Sequence, residues 1–237
     1  MSWLLTILML LQIGLPFPGP GLTTGSTPVV LSWSVQGRTS SGTSIATSAQ
    51  TITTGDRIAI ICGVWTGGTI NFATASDGLS NTWTLVTQSP LNTSNFNSRS
   101  AVWTATAVAG GSDTFTCNPQ AGASHINVAA LGYTGATAND SGATDSQTNN
   151  SVTTGVTHSV TTTVTDTLIT YSFGAANTGV SFNVPTGFAT RLTGLTDSGN
   201  TFIVYDKSAV AAGAQSIVNN ASSGTTPIHS GLIGIHP

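Results

Sequence analysis

From Val29 onward the chain is written in short runs of apolar and β-branched residues separated by turn residues, with no helical period of useful length. VVLSWSV, RIAIICGVW, TINFATA, TWTLVT, AVWTATAV, DTFTC and SHINVAALGY are followed by TLITYSF, FATRL, FIVYDKSAV, SIVNN and PIHSGLIGI. Runs of this length and spacing, rich in Val, Ile, Thr and aromatic residues, predict an antiparallel β-sandwich. Asp77-Gly78, Gly67-Gly68, Gly110-Gly111 and Ala212-Gly213 stand between them. Such pairs reach positive φ or a tight reversal at little steric cost.

The runs also repeat. AVWTATAVAGGSDTFT, starting at Ala101, is answered by IVYDKSAVAAGAQSIV, starting at Ile203, at a constant offset of 102. Carried without a gap to Tyr133 and Ile235, the alignment matches Val102/Val204, Ala107/Ala209, Val108/Val210, Ala109/Ala211, Gly111/Gly213, Asn118/Asn220, Gly122/Gly224, Ile126/Ile228 and Gly132/Gly234. Background residue usage would give roughly three matches. TTGDRIAIICGVW lines up more loosely with TVTDTLITYSFG through Asp56 and Asp166, at an offset of 110. A changing offset means that strand order is conserved while loop length varies. The expected fold is therefore an all-β, jelly-roll-like antiparallel sandwich over residues 29–237, built from two related halves, 29–135 and 157–237. A low-complexity connection, 136–156, with room for an edge strand, joins them. Two tandem immunoglobulin-like domains are the alternative, because Cys62, Trp83 and Cys117 sketch such a core; Phe115 lacks the hydroxyl a tyrosine corner needs.

Residues 1–28 differ in character. WLLTILMLLQIGLPF is an apolar run closed by PFPGPG, which a helix does not cross. It has no basic residue ahead of it and no A-x-A-like cleavage site, and it is short for a membrane span. Two readings stay open: a divergent signal or anchor segment, or an arm in which Trp3, Leu4, Leu5, Ile7, Leu8, Leu10 and Leu11 dock on a neighbouring subunit.

Composition narrows function. Only 5% of residues are charged, there is no glutamate, and the net charge is −3. Arg38, Arg57, Arg99, Arg191 and Lys207 are too few and too scattered to neutralise a phosphate backbone, which excludes nucleic acid. A neutral surface rich in Thr, Ser, Asn and Gly fits proteins outside cells or packed among copies of themselves. The two cysteines, Cys62 and Cys117, lie in separate strand runs and are candidates for a disulfide or for two buried thiols.

Chemistry is harder to find. The aspartates sit mostly in turn contexts, there is no G-x-S-x-G, and the four histidines have no metal-ligand spacing. Ser124-His125 is the nearest local nucleophile and base pair, and Asp77 with Asn81 the nearest calcium loop, but strand and hairpin roles explain both. No cofactor, metal or catalytic residue is expected. Aromatic residues offer more: Trp65 beside Gly67-Gly68, and Trp33, are candidate ligand-contact side chains, whereas Trp103, matched by Tyr205, is expected in the core.

Several of these runs form a wider pattern: Gly55-Asp56 before a strand; Asp77 to Thr84 and Pro185-Thr186-Gly187-Phe188 as turn plus aromatic; Ala101 to Gly111; and Leu131-Gly132-Tyr133-Thr134-Gly135. Together they resemble a poorly characterised group of β-sandwich domains found in tailed-phage virion proteins and in secreted or surface bacterial proteins. The likeness covers most of residues 29–237, and its motifs are structural. It implies a non-enzymatic structural or display protein of a virion tail, capsid surface or extracellular surface, working as a homo-oligomer or larger assembly with host-surface attachment. A secreted carbohydrate-binding module, with a glycan as partner, is the alternative, and a hydrolase ranks third.

Overall fold

The computed structural model describes residues 27–40, 42–66, 72–93, 97–119, 125–149, 155–175, 180–193, 200–223 and 227–237. The proposed docking residues Trp3 to Leu11 lie outside them, as do Gly67, Gly68 and Ser124.

The first half contributes β1 (Val30–Thr39), β2 (Ile45–Ala46), β3 (Gln50–Ile52), β4 (Arg57–Thr66), β5 (Phe72–Asp77), β6 (Thr84–Gln88), β7 (Asn97–Thr106), β8 (Gly111–Asp113), β9 (Phe115–Pro119) and β10 (His125–Thr134). The second contributes β11 (Ala138–Asn149), β12 (Val156–Thr162), β13 (Asp166–Ala175), β14 (Ser181–Phe182), β15 (Ala189–Leu192), β16 (Asn200–Val210), β17 (Gly213–Asn219), β18 (Ala221–Ser223) and β19 (Ile228–His236). Every pairing is antiparallel.

Each half closes its own sandwich. In the first, a five-stranded sheet in the order β1-β10-β4-β7-β6 faces short sheets made of β2-β9-β5 and β3-β8; in the second, β11-β19-β13-β16-β15 faces β12-β17 and β14-β18. The pairing is nested: β1 with β10, β2 with β9 and β3 with β8 in the first half, and β11 with β19 and β12 with β17 in the second, which is the wrapping of a jelly roll. The chain is all-β and sandwich-built as expected, yet each related half is a complete sandwich in itself. Most of the expected connection is strand β11, which takes in the second half the edge place that β1 takes in the first.

The two five-stranded sheets stack on each other. β1 faces β15, β10 faces β16, β4 faces β13, β7 faces β19 and β6 faces β11. Because β1 corresponds to β11, β10 to β19, β7 to β16 and β6 to β15, this is the self-complementary contact of a twofold dimer, made within one chain with β4 and β13 at its centre. The layers explain the residue pattern. Ile58, Ile60, Cys62 and Val64 of β4 fill the first sandwich, while Ala59 and Ile61 join Ile169, Tyr171, Phe173, Phe202, Val204 and Ile233 between the halves. A sheet covered on both faces needs apolar residues at odd and even positions alike, and so β4, β10, β13 and β19 read as continuous apolar runs. The sheets meet most closely where Gly63 lies under the Phe173 ring; a Cβ there would sit 2.8 Å from the ring carbons.

Candidate functional site

The sandwich interiors place most of the tryptophans. Trp33 stacks on Phe115 with ring centroids 5.2 Å apart, and its indole N–H points at Asp56 Oδ2 at 3.4 Å. It is buried, so it is corrected from ligand contact to core: β1 runs along the sheet edge and turns this side chain inward over the small sheet. Trp65 is half-buried, its ring stacked on His125 at 4.3 Å and packed against the core between the halves. It does not stand out from the surface as a platform. Trp103 is buried, and Trp83 donates its indole N–H to Asp77 Oδ2 at 2.8 Å.

The remaining calcium-loop candidates serve the turn. Asp77 Oδ1 accepts the Asn81 N–H at 3.1 Å, and Asn81 Oδ1 accepts that of Val108 at 2.9 Å. Cys62 and Cys117 form a disulfide, with Cα atoms 6.0 Å apart, that pins β4 to β9. Their counterparts in the second sandwich are Ser172 and Asn219, and there hydrogen bonds take over: the Asn219 amide donates to Thr170 Oγ1 at 2.8 Å and to the Tyr171 carbonyl at 3.2 Å.

The fold assembles a constellation that no local motif announces. Asp145 on β11, His158 on β12 and Ser230 on β19 lie in line, with His158 Nδ1 3.0 Å from Asp145 Oδ2 and His158 Nε2 2.8 Å from Ser230 Oγ. These are the contacts of an acid, base and nucleophile triad. His158 and Ser230 are nevertheless wholly buried, and Ser230 Oγ donates to the Tyr171 carbonyl at 2.6 Å. Burial pulls the His158 pKa down against the opposing pull of Asp145. A nucleophile has to touch its substrate, so this arrangement braces the second sandwich. His229, on the other face of β19, contacts Ser89 Oγ at 2.9 Å, Ser98 Oγ at 2.7 Å and Thr148 Oγ1 at 3.0 Å, joining the two halves. Burial, with Arg99 nearby, depresses its pKa to about 3.

Carboxylates gather at the opposite end of the interface. Asp206 accepts from Arg191 Nε at 2.6 Å and from the Tyr133 hydroxyl at 3.0 Å, a bond that crosses between halves. At the start of β13, on the sandwich side of the same sheet, Asp166 is buried next to Asp140 and borders a cavity of about 260 Å³. Asp140 is ionised, its oxygens accepting the Gly142 and Thr163 N–H groups at 2.8 and 2.5 Å, which outweigh its burial and lower its pKa to about 2. Among the described residues no donor reaches either Asp166 oxygen. Asp166 is satisfied only by carrying a proton and sharing it with Asp140, and burial followed by that neighbour raises its pKa to about 7. In the first half the equivalent carboxylate, Asp56, instead accepts from Thr53 N–H at 3.1 Å, Thr134 Oγ1 at 3.0 Å and the Trp33 indole. Among the described residues no group of three or more His, Cys or Asp side chains is placed to hold a metal.

The deepest departure from the repeat is a cavity of about 340 Å³ opening into the second sandwich. Trp33, Trp83, Trp103 and Phe115 fill the first sandwich. In the second, strand register puts Phe188 at the place of Trp83 and Ile217 at that of Phe115, and smaller side chains leave the mouth open. Leu168, Ile217 and Phe188 line its apolar part; Asn183, Gln215 and Asn220 are among its polar lining. Lys207, the only lysine in the chain, replaces Ala105 and reaches in, its Nζ 6.0 Å from the centre of the Phe188 ring. Reading the sequence alone missed this site. Its signal was present in the repeat, at the mismatched positions Ala105/Lys207 and Phe115/Ile217.

Comparison with protein-family models, with curated proteins and with solved structures finds no match.

Proposed function

We propose that this chain is a non-enzymatic structural or display protein of a virion surface or an extracellular surface, present in many copies. The observation that carries this reading is the construction itself: two jelly rolls held face to face through a self-complementary sheet contact, the kind of surface by which separate subunits pack. Other features agree with it. The exterior is nearly free of charge, so little repulsion opposes contact between copies. The base and nucleophile of the triad-like group, His158 and Ser230, are sealed inside the second sandwich. A disulfide in the first sandwich suits an oxidising environment outside the cell.

On this reading the sandwiches are the rigid body and residues 1–22 attach it. The test is to delete those residues and follow incorporation of the protein into its native particle or surface. The truncated chain should fold and stay soluble yet fail to incorporate; unchanged incorporation overturns the attachment role. The carbohydrate-binding reading is kept as second because of the open cavity of the second sandwich.

A further inference from the structure

We infer that the cavity of the second sandwich is a binding site for a sugar that carries a carboxylate, such as a uronic acid unit at the end of an acidic glycan. The inference deepens the carbohydrate-binding reading and is independent of the assembly reading.

Three observations meet here. First, the cavity lies where the aromatic pair of the first sandwich is not repeated in the second. A space filled in the first sandwich by Trp83 packed edge-on to Phe115, centroids 6.2 Å apart, is left open in the second at about 340 Å³, within the size range of small-ligand sites.

Second, the polarity suits a sugar. Phe188 gives an apolar ring face on which the C–H face of a pyranose can lie, and the amides of Asn183 and Asn220 offer both donors and acceptors, which hydroxyl groups require, while Gln215, whose Nε2 donates to the Ala211 carbonyl at 3.1 Å, adds an acceptor oxygen. Among the described residues no carboxylate lines the cavity to repel an acid.

Third, among the described residues the charge meets the Phe188 ring and no carboxylate. Neighbouring strand positions alternate between faces, and Asp206, next in sequence to Lys207, points into the interface, where Arg191 and Tyr133 engage it. Lys207 points the other way and lies beside Phe188. Gly187, at φ +80°, keeps the approach clear: a Cβ there would lie 3.3 Å from Lys207 Nζ and Cε. A lone ammonium in a cavity otherwise lined by neutral groups favours an anion, and a carboxylate on the stacked ring can meet it in a charge-assisted hydrogen bond.

The experiment titrates the full-length protein with glucuronate, with glucose and with acetate, following binding by calorimetry or by NMR shifts of residues around Phe188. Glucuronate should bind at least about tenfold more tightly than either of the others, since only it engages ring and ammonium together. Lys207→Met should reduce glucuronate binding to the level of glucose while leaving the melting temperature near wild type, because the residue lies at the mouth. As a second variant, Gln215→Trp, on the same face of β17 as Ile217, should block all three ligands by occupying the cavity. Equal binding of acetate and glucuronate, unchanged glucuronate binding in Lys207→Met, or absence of glucuronate binding in the folded wild-type protein overturns the inference. None of these outcomes bears on assembly through residues 1–22.

Discussion

Asp166→Asn isolates the proton that Asp166 and Asp140 share. Folding raises the Asp166 pKa from an ordinary 3.8 to about 7, so between those values the folded protein holds a proton that the unfolded chain has released. Stability contributed by that proton is fully present below pH 3.8, declines at about 1.4 kcal/mol per pH unit, and is lost as pH rises through 7. Integrated from pH 4 to pH 8, the decline is about 3–4 kcal/mol. Asparagine keeps the shape, cannot ionise, and donates an N–H to Asp140 at every pH. The assay is urea unfolding of wild type and variant at pH 4, 5, 6, 7 and 8. His229 and His158 titrate with the opposite sign in part of this window, since their lowered pKa values cost stability as pH falls, but they act in both proteins and cancel in the difference. The variant's stability relative to wild type should grow by about 3–4 kcal/mol from pH 4 to pH 8. A difference that stays constant with pH within about 1 kcal/mol refutes the shared-proton account.

Three further outcomes follow from the packing. Replacing both Cys62 and Cys117 by Ala opens a loop of 55 residues and should lower stability by about 4 kcal/mol in denaturant unfolding, whereas a loss under about 1 kcal/mol would mean the bond closes an already ordered loop. Gly63→Ala drives a methyl group into the Phe173 ring and should cost about 1–3 kcal/mol, with amide exchange accelerated in both β4 and β13; an unchanged melting temperature would show that the sheets are not in contact there. His229 has its pKa depressed to about 3, so its neutral form supports stability above pH 6.5 and the support is lost as pH falls toward 3. His229→Gln should remove about 3 kcal/mol of the acid-induced loss between pH 6.5 and 4, and a variant with the full wild-type acid slope would contradict this.

The strands and the duplication were legible because both rest on local signals. Continuous runs such as RIAIICGVW name a strand whatever lies on either side of it, and the glycines shared at Gly111/Gly213 and Gly132/Gly234 mark equivalent backbone positions. The four-layer stack was not legible in the same way. A run apolar at every position says that both faces are covered, yet it does not say that the cover is the other half. The low-complexity stretch that became β11 has few apolar residues because an edge strand of Thr, Ser and Asn can leave much of one face to water.

Site residues were hidden for a different reason. Asp145, His158 and Ser230 are brought together across 85 residues by two separate strand pairings, so their spacing carries no information. The cavity needs the facing of each strand as well as the repeat: Ala105/Lys207 and Phe115/Ile217 are visible as mismatches, but only the alternation of Val204 toward the interface and Lys207 away from it puts the half-buried lysine at the mouth of the cavity. Trp33 shows the converse error. An aromatic residue near a strand edge reads as accessible until the strand is seen to turn it onto Phe115.

The proposed multi-copy assembly is tested most directly by the native mass of the full-length chain. That mass should be a fixed multiple of the 23.9 kDa chain and fall to that of one chain when residues 1–22 are removed. A single-chain mass for the full-length protein at the concentrations of its native setting would contradict it.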